Sequence, residues 1–67
     1  MKLINSFGEA TKYTNEQIYS LFSNSDCVNI ISMDSQNRQI DLISNGLKYT
    51  IISPTKLVID WLKRWNL

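Results

Sequence analysis

The side chains of this sequence that could take part in chemistry are one thiol, six carboxylates and many hydroxyls. No histidine is present, so neither a serine nor Cys27 has an imidazole base, and no imidazole can bind a metal ion. The acidic residues are dispersed, and no spacing forces two of them together. The two glycines, Gly8 and Gly46, lie too far apart to form a phosphate-cradling loop. We therefore predict a protein that is not an enzyme and has no metal-binding or cofactor-binding residues.

Length and charge indicate a small domain with no evident polyanionic partner. A chain of 67 residues buries only roughly 60% of its unfolded surface, so a partner chain or a homodimer would add useful apolar burial. The net charge is +1, and the two signs are interspersed. The lone Cys27 allows no internal disulfide, and no apolar run has the length of a signal peptide or a membrane span. These features predict a cytoplasmic protein with no membrane contact.

Two local signals indicate where the first helix begins and where a hairpin turns. Thr14 and Gln17 in "YTNEQI" have the spacing of a capping box, which predicts a helix over residues 14–24. Asn45 and Gly46 suit a type I′ turn, which would place Ser44 opposite Leu47.

The stretch "DSQNR" predicts the preceding turn, with Asn37 in the left-handed conformation. Asp34 would then lie opposite Arg38, and Ile30 opposite Leu42. Three antiparallel strands near residues 27–34, 38–44 and 47–53 follow from these turns.

The C-terminal stretch predicts a second helix over residues 54–65, with Ser53 as its cap and Pro54 in its first position. Its apolar side chains form one stripe at helical spacing: Leu57, Val58, Trp61, Leu62 and Trp65. We interpret both tryptophans mainly as core residues, although Trp65, in the last turn, is also a candidate contact residue at the rim of the sheet.

The predicted fold is a single α+β domain over residues 1–67. Its order is helix, three-stranded antiparallel sheet, helix (αβββα), with both helices on one face of the sheet. Residues 1–12 form a tail or a short strand, residues 14–24 and 54–65 the helices, and residues 27–53 the three-stranded meander.

The second face of the predicted sheet is unusually apolar for a surface in contact with solvent. Side chains alternate across a strand, so the register assigns four large apolar residues to it: Ile31, Met33, Ile43 and Ile52. Either the segment "KLINSF" folds across this face, or the face binds another molecule, and Gly8 would serve as the hinge of the first arrangement. Asp41, Lys48 and Arg38 would supply a charged margin.

These patterns favour a small protein-binding module that contacts a protein partner or a second copy of itself. The predicted partner-binding residues are Ile31, Met33, Ile43, Ile52, Lys48, Arg38, Asp41 and Trp65. The abundance of Ile, Asn, Ser and Lys is typical of an AT-rich genome. Composition and size together suggest a phage or mobile-element inhibitor that occludes a host protein in the host cytoplasm, in the manner of anti-CRISPR and other anti-defence proteins.

The alternative is a small nucleic-acid-binding or regulatory protein. The predicted order of a helix, three strands and a helix resembles that of double-stranded-RNA-binding domains, a resemblance of element order over most of the chain. That family has a lysine cluster at the start of its second helix, where "SPTKLVID" has Lys56 alone. The candidate phosphate contacts are Lys12, Arg38, Lys48, Lys56, Lys63 and Arg64. Phosphate binding requires several cations on one face, which no spacing here imposes.

Overall fold

The computed structural model describes residues 1–23 and 27–66, and the side chains of all of these except residues 65 and 66. In chain order the elements are β1 (Lys2–Ile4), β2 (Ala10–Lys12), α1 (Asn15–Ser23), β3 (Val28–Asp34), β4 (Gln39–Ser44), β5 (Leu47–Ile52), α2 (Lys56–Leu62) and a 3₁₀ helix (Lys63–Asn66).

The described strands form one five-stranded antiparallel sheet in the order β2-β1-β5-β4-β3, so the predicted three-stranded sheet is wrong. The N-terminal residues do not fold across the second face. They form a hairpin whose first strand pairs with the edge of β5, with Leu3 opposite Ile51. This position buries Leu3 to 3% exposure and supplies hydrogen-bond partners to one edge of β5. The predicted order of a helix, three strands and a helix is observed as α1-β3-β4-β5-α2, but two strands precede it and join the same sheet.

The β4–β5 hairpin has the predicted turn and register. Asn45 and Gly46 both have positive φ, 53° and 81°, as a type I′ turn requires. Ser44 lies opposite Leu47, Leu42 opposite Tyr49, and Ile40 opposite Ile51.

The β3–β4 pairing contains a bulge that the sequence analysis missed. Ile30 lies opposite Leu42 as predicted, but the register shifts before Ser32, which lies opposite Asp41 and leaves Ile31 as the extra residue. The prediction for the turn is therefore wrong by one residue, because Asp34 pairs with Gln39 instead of Arg38.

Two further predictions change with that shift. Arg38, rather than Asn37, takes the left-handed conformation, with φ 51°. Met33 lies opposite the buried Ile40 and packs against the core, so its assignment to the second face is wrong. Since β3 is an edge strand, the bulge also makes edge-to-edge pairing with another chain less favourable.

The first helix begins as predicted. The side-chain carbonyl of Gln17 accepts from the backbone N–H of Thr14 at 2.8 Å, and the Thr14 hydroxyl accepts from the backbone N–H of Gln17 at 3.2 Å. The cap of α2 is Thr55, whose hydroxyl oxygen accepts from the backbone N–H of Val58 at 3.2 Å. The predicted cap, Ser53, has a positive φ of 54° and precedes the helix.

Both α-helices contribute to one core on one face of the sheet. The buried residues are Leu3, Ile18, Phe22, Val28, Ile40, Leu42, Ile51, Val58 and Leu62. The ring of Phe22 meets that of Tyr49 edge to face at 5.5 Å, which joins α1 to β5.

The buried side of α2 is rotated from the predicted stripe towards Ile59. Val58 and Leu62 are fully buried and Ile59 packs against the core, whereas Leu57 is 64% exposed. Trp61 is half-buried at the margin, where its ring lies 4.8 Å from that of Tyr19. The side chain of Trp65 lies outside the described residues.

Candidate protein-binding surface

The side of the sheet opposite both helices is the open face. Register and alternation arrange its side chains in rows across the strands. The first row is Lys12, Lys2, Ile52, Gln39 and Asp34, the second is Ala10, Ile4, Thr50, Asp41 and Ser32, and the third is Lys48, Ile43 and Asn29. None of the described elements covers this face.

Several predicted partner-binding residues lie on the open face. Ile43 and Lys48 are exposed and lie opposite each other, while Ile52 and Asp41 are half-buried by their neighbours. Ile31, the bulged residue, is 53% exposed beside the second row.

The other predicted contact residues lie elsewhere. Met33 contributes to the core, and Arg38 ends the β3–β4 turn, where its carbonyl accepts from the backbone N–H of Ser53 at 2.8 Å. The prediction for Trp65 concerns a side chain outside the described residues.

Polar groups on the open face are held by hydrogen bonds. The Thr50 hydroxyl donates to the carboxylate of Asp41 at 2.8 Å, and the side-chain amide of Gln39 reaches the same oxygen at 3.4 Å. These contacts fix a carboxylate near the middle of the sheet, between Ile4 and the β3 bulge. The face is therefore mixed in character, with isoleucines separated by oriented polar groups, as in a typical protein interface.

Asp34, at one corner of the open face, organises the β3–β4 turn. Its carboxylate accepts from the backbone N–H groups of Gln36 and Asn37 at 3.0 and 3.1 Å, and from the Asn37 side-chain amide at 2.7 Å. The backbone hydrogen bond from Asn37 lowers the pKa of Asp34 below its usual value, and the two other bonds lower it further.

Among the described residues, the large apolar side chain with the greatest exposure lies in the segment around Gly8, the residue that the sequence prediction treated as a hinge. Residues 5–9 connect β1 to β2, and we call this segment the Phe7 turn. Phe7 is 86% exposed at its tip. The sequence signal for this turn was present in "NSFG", because Asn in the first position and Gly in the fourth are typical of a β-turn.

Hydrogen bonds hold the Phe7 turn in one conformation. The side-chain carbonyl of Asn5 accepts from the backbone N–H groups of Phe7 and Glu9 at 2.9 and 3.0 Å, and its amide donates to the Glu9 carboxylate at 3.1 Å. The backbone N–H of Gly8 donates to the backbone carbonyl of Asn5 at 3.0 Å. The Ser6 hydroxyl donates to the Lys48 carbonyl at 2.9 Å, which fastens the turn to β5.

That last bond brings three exposed apolar residues to one end of the sheet, around Lys48. We call Phe7, Ile43 and Leu47 the apolar end, and they are 86%, 36% and 49% exposed. Ile43 lies opposite Lys48, and Leu47 precedes it. By alternation with Tyr49 and Ile51, Leu47 lies on the helix side of β5, and its position beside the β4–β5 turn leaves it half in solvent.

The candidate phosphate contacts are divided between the two sides of the molecule. Lys12 and Lys48 lie in different rows of the open face. Lys56 begins α2, and Lys63 and Arg64 lie in the 3₁₀ helix that follows it. The guanidinium of Arg64 lies 5.7 Å from the centre of the Trp61 ring, within the range of a cation–π contact. Lys63 and Arg64 are thus neighbours, whereas Lys12 and Lys48 lie on the other side of the molecule and in different rows.

The described residues contain neither a metal-binding cluster nor a membrane-spanning helix. Within residues 1–23 and 27–66, no three His, Cys, Asp or Glu side chains are grouped so that they could hold a metal ion. No described helix combines the length and the apolar character needed to cross a membrane. Cys27 is exposed, directly before β3.

No protein-family model, curated protein or solved structure matches this chain.

Proposed function

We propose that this chain is a non-enzymatic protein-binding module whose contact surface is the open face together with the Phe7 turn. The observation that carries the proposal is the exposed ring of Phe7, held on a hydrogen-bonded turn that the Ser6 hydroxyl fastens to β5 at Lys48. Apolar residues that cluster on an otherwise polar surface are characteristic of binding sites.

The turn lowers the entropic cost of binding. A flexible loop loses conformational freedom when a partner immobilises it, and that loss reduces affinity. Here the hydrogen bonds of Asn5 and Ser6 already fix the backbone on both sides of Phe7. The ring can therefore enter a pocket without further ordering of the turn, which is the property expected of an aromatic anchor residue.

The neighbouring groups indicate the chemistry of the partner. A protruding phenyl ring fits an apolar concave site, and Lys48 at its base fits a carboxylate at the rim of that site. Ile31 and Ile52 extend the apolar contact across the sheet, while Asp41 offers an oriented acceptor to a donor on the partner. We infer a protein partner with an apolar pocket and an acidic margin.

A more specific role, as a phage or mobile-element inhibitor acting in a host cytoplasm, rests on the AT-rich composition and the small size alone. Occlusion of a host protein is compatible with a rigid contact surface, and it becomes testable once the partner is identified.

The test is capture of tagged protein from cells of the source organism after nuclease treatment, with three variants compared in parallel. Phe7→Ala and Ile43→Lys alter the proposed surface. Leu57→Lys is the matched control, because Leu57 is 64% exposed on α2, on the helix side of the molecule. We expect the wild type and Leu57→Lys to retain the same stoichiometric protein. Phe7→Ala should bind that protein at least about thirtyfold more weakly, the loss typical of an anchor residue.

Three outcomes would contradict the proposal. Release of all bound material by nuclease would favour the nucleic-acid alternative. Loss of the partner from Leu57→Lys but not from Phe7→Ala would place the contact on the helices. A dimer in light scattering that Ile43→Lys dissociates, without any other protein captured, would make a second copy the occupant.

A further inference from the structure

A groove lies at the end of the sheet opposite the Phe7 turn, where β1 begins and β5 ends. It has a volume of about 630 Å³, within the range of about 300–1,000 Å³ that is usual for small-molecule sites. We call it the lysine groove, and it is lined by Met1, Lys2, Lys12, Tyr13, Thr14, Gln17, Ile52 and Ser53.

Two like charges face each other at this groove. Lys2 and Lys12 are directly opposite in the β1–β2 register, on the same face, and both are exposed. Residues directly opposite each other in a sheet have Cβ atoms roughly 4.5–5.5 Å apart, and like charges in that position destabilise the pair. No acidic residue lines the groove, so an anion placed between the two ammonium groups would remove this repulsion.

The charges around the groove leave this region basic. In the first row of the open face, Asp34 lies at the far edge on β3, separated from Lys2 by Ile52 and Gln39. Glu16, in the first turn of α1, is the nearest carboxylate in sequence to the lining residues. The backbone carbonyl of Arg38 accepts from the backbone N–H of Ser53, one of the lining residues.

The remaining lining residues suit an organic ligand. Ile52 and Tyr13 are half-buried and present apolar surface, and Thr14 and Ser53 carry hydroxyl groups. The backbone N–H of Gln17 is already bonded to the Thr14 hydroxyl. Because that N–H group is occupied, the N-terminus of α1 adds little attraction for an anion. The lysine pair is therefore the main source of attraction.

We propose that the lysine groove binds a small organic phosphate, with the phosphate group between Lys2 and Lys12 and the organic part against Ile52 and Tyr13. This site is separate from the apolar end, and its occupancy does not depend on the proposed protein-binding function.

The experiment is an NMR titration of the ¹⁵N-labelled chain at constant ionic strength, with phenyl phosphate as the probe. Inorganic phosphate, phenol and sodium chloride are titrated in parallel. We expect saturable shifts of the Lys2, Lys12 and Ser53 amides with phenyl phosphate. Inorganic phosphate should bind more weakly at the same amides, and phenol and chloride should give no saturable shift there.

Variants assign the binding to the lysine pair. Lys2→Gln/Lys12→Gln should weaken phenyl phosphate binding at least about tenfold, the equivalent of one charge-assisted hydrogen bond. Lys2→Arg/Lys12→Arg keeps both charges and should stay within about threefold of the wild type. Lys56→Gln is the matched control, since Lys56 is exposed at the start of α2 and does not line the groove, so its change should leave phenyl phosphate binding unaltered.

Several results would overturn the assignment. They are the absence of saturable shifts, equal shifts from sodium chloride, or unchanged affinity in the double Gln variant with native circular dichroism. Equal affinity for phenol and phenyl phosphate would exclude the phosphate contact, and equal affinity for inorganic phosphate would exclude the organic contact.

Discussion

Replacement of Leu3 by Ala tests whether the N-terminal hairpin is an integral part of the sheet. Leu3 is 3% exposed and lies opposite Ile51 in the core. The change removes three carbon atoms, worth about 2.4 kcal/mol at ~0.8 kcal/mol for each buried methylene group. Only the short strand β2 lies outside β1, so the site can partly collapse and the cavity adds little. We expect a loss of about 3 kcal/mol in the free energy of unfolding.

The measurement is urea unfolding followed by circular dichroism, with thermal unfolding as a second readout. For a domain of this size, a loss of about 3 kcal/mol lowers Tm by roughly 12–24 °C. Phe7→Ala is the matched control in the same hairpin, because Phe7 is 86% exposed, and it should change the free energy of unfolding by less than about 0.5 kcal/mol. Equal small effects of the two changes would refute the reasoning, since β1 would then be a loosely attached tail.

Two further predictions concern the β3–β4 turn and the second helix. The hydrogen bonds of Asn37 and Gln36 lower the pKa of Asp34, so the stabilisation from its carboxylate is present above the unfolded-state pKa and is lost as pH falls through the lower folded-state pKa. The carboxyl carbon of Asp34 should therefore titrate below 3.8 by NMR, and a midpoint at or above 3.8 would contradict the turn geometry. Trp61→Ala should cost about 1.5–3 kcal/mol, less than for a fully buried ring, because Trp61 is half-buried between Tyr19 and Arg64. Urea unfolding measures this loss, and a cost below about 0.5 kcal/mol would show that the ring contributes only to the surface.

The features predicted correctly depend on interactions between residues close in sequence. The capping box joins Thr14 to Gln17, and the type I′ turn needs only two residues that tolerate positive φ. Each of these favours its conformation whatever the rest of the chain does. The register of β4 with β5 follows directly, because a two-residue turn leaves one pairing of the flanking strands.

The candidate surface was predicted only in part. The alternation of β4 and β5 correctly placed Ile43, Lys48 and Ile52 on one face. The bulge at Ile31 reversed the alternation beyond it and moved Met33 into the core. Nothing in "NIISMD" marks the extra residue, since the bulge is decided by how β3 meets β4 and the core.

The role of Phe7 was missed for a different reason. The prediction treated residues 1–12 as a tail or short strand and left open whether the segment "KLINSF", which contains Phe7, covers the second face of the sheet. Asn5 and Gly8 instead reverse the chain, and the Ser6 bond to β5 fixes where the turn lies. The turn signal in residues 5–8 thus placed Phe7 at the tip of a turn. The hydrogen bond between Ser6 and Lys48, which are distant in sequence, decided where on the sheet that turn lies.

The sequence by itself determined the α+β class, the start of α1 and the β4–β5 turn. It also contains no histidine that a site could use. The tertiary structure decided which edge the N-terminal strand joins, where β3 bulges and which side of α2 is buried. The physical reason is the range of the interactions. Turns and caps are satisfied by their own neighbours, whereas a strand of three residues such as "KLI" is stable only where another strand offers unpaired backbone groups and a core accepts Leu3.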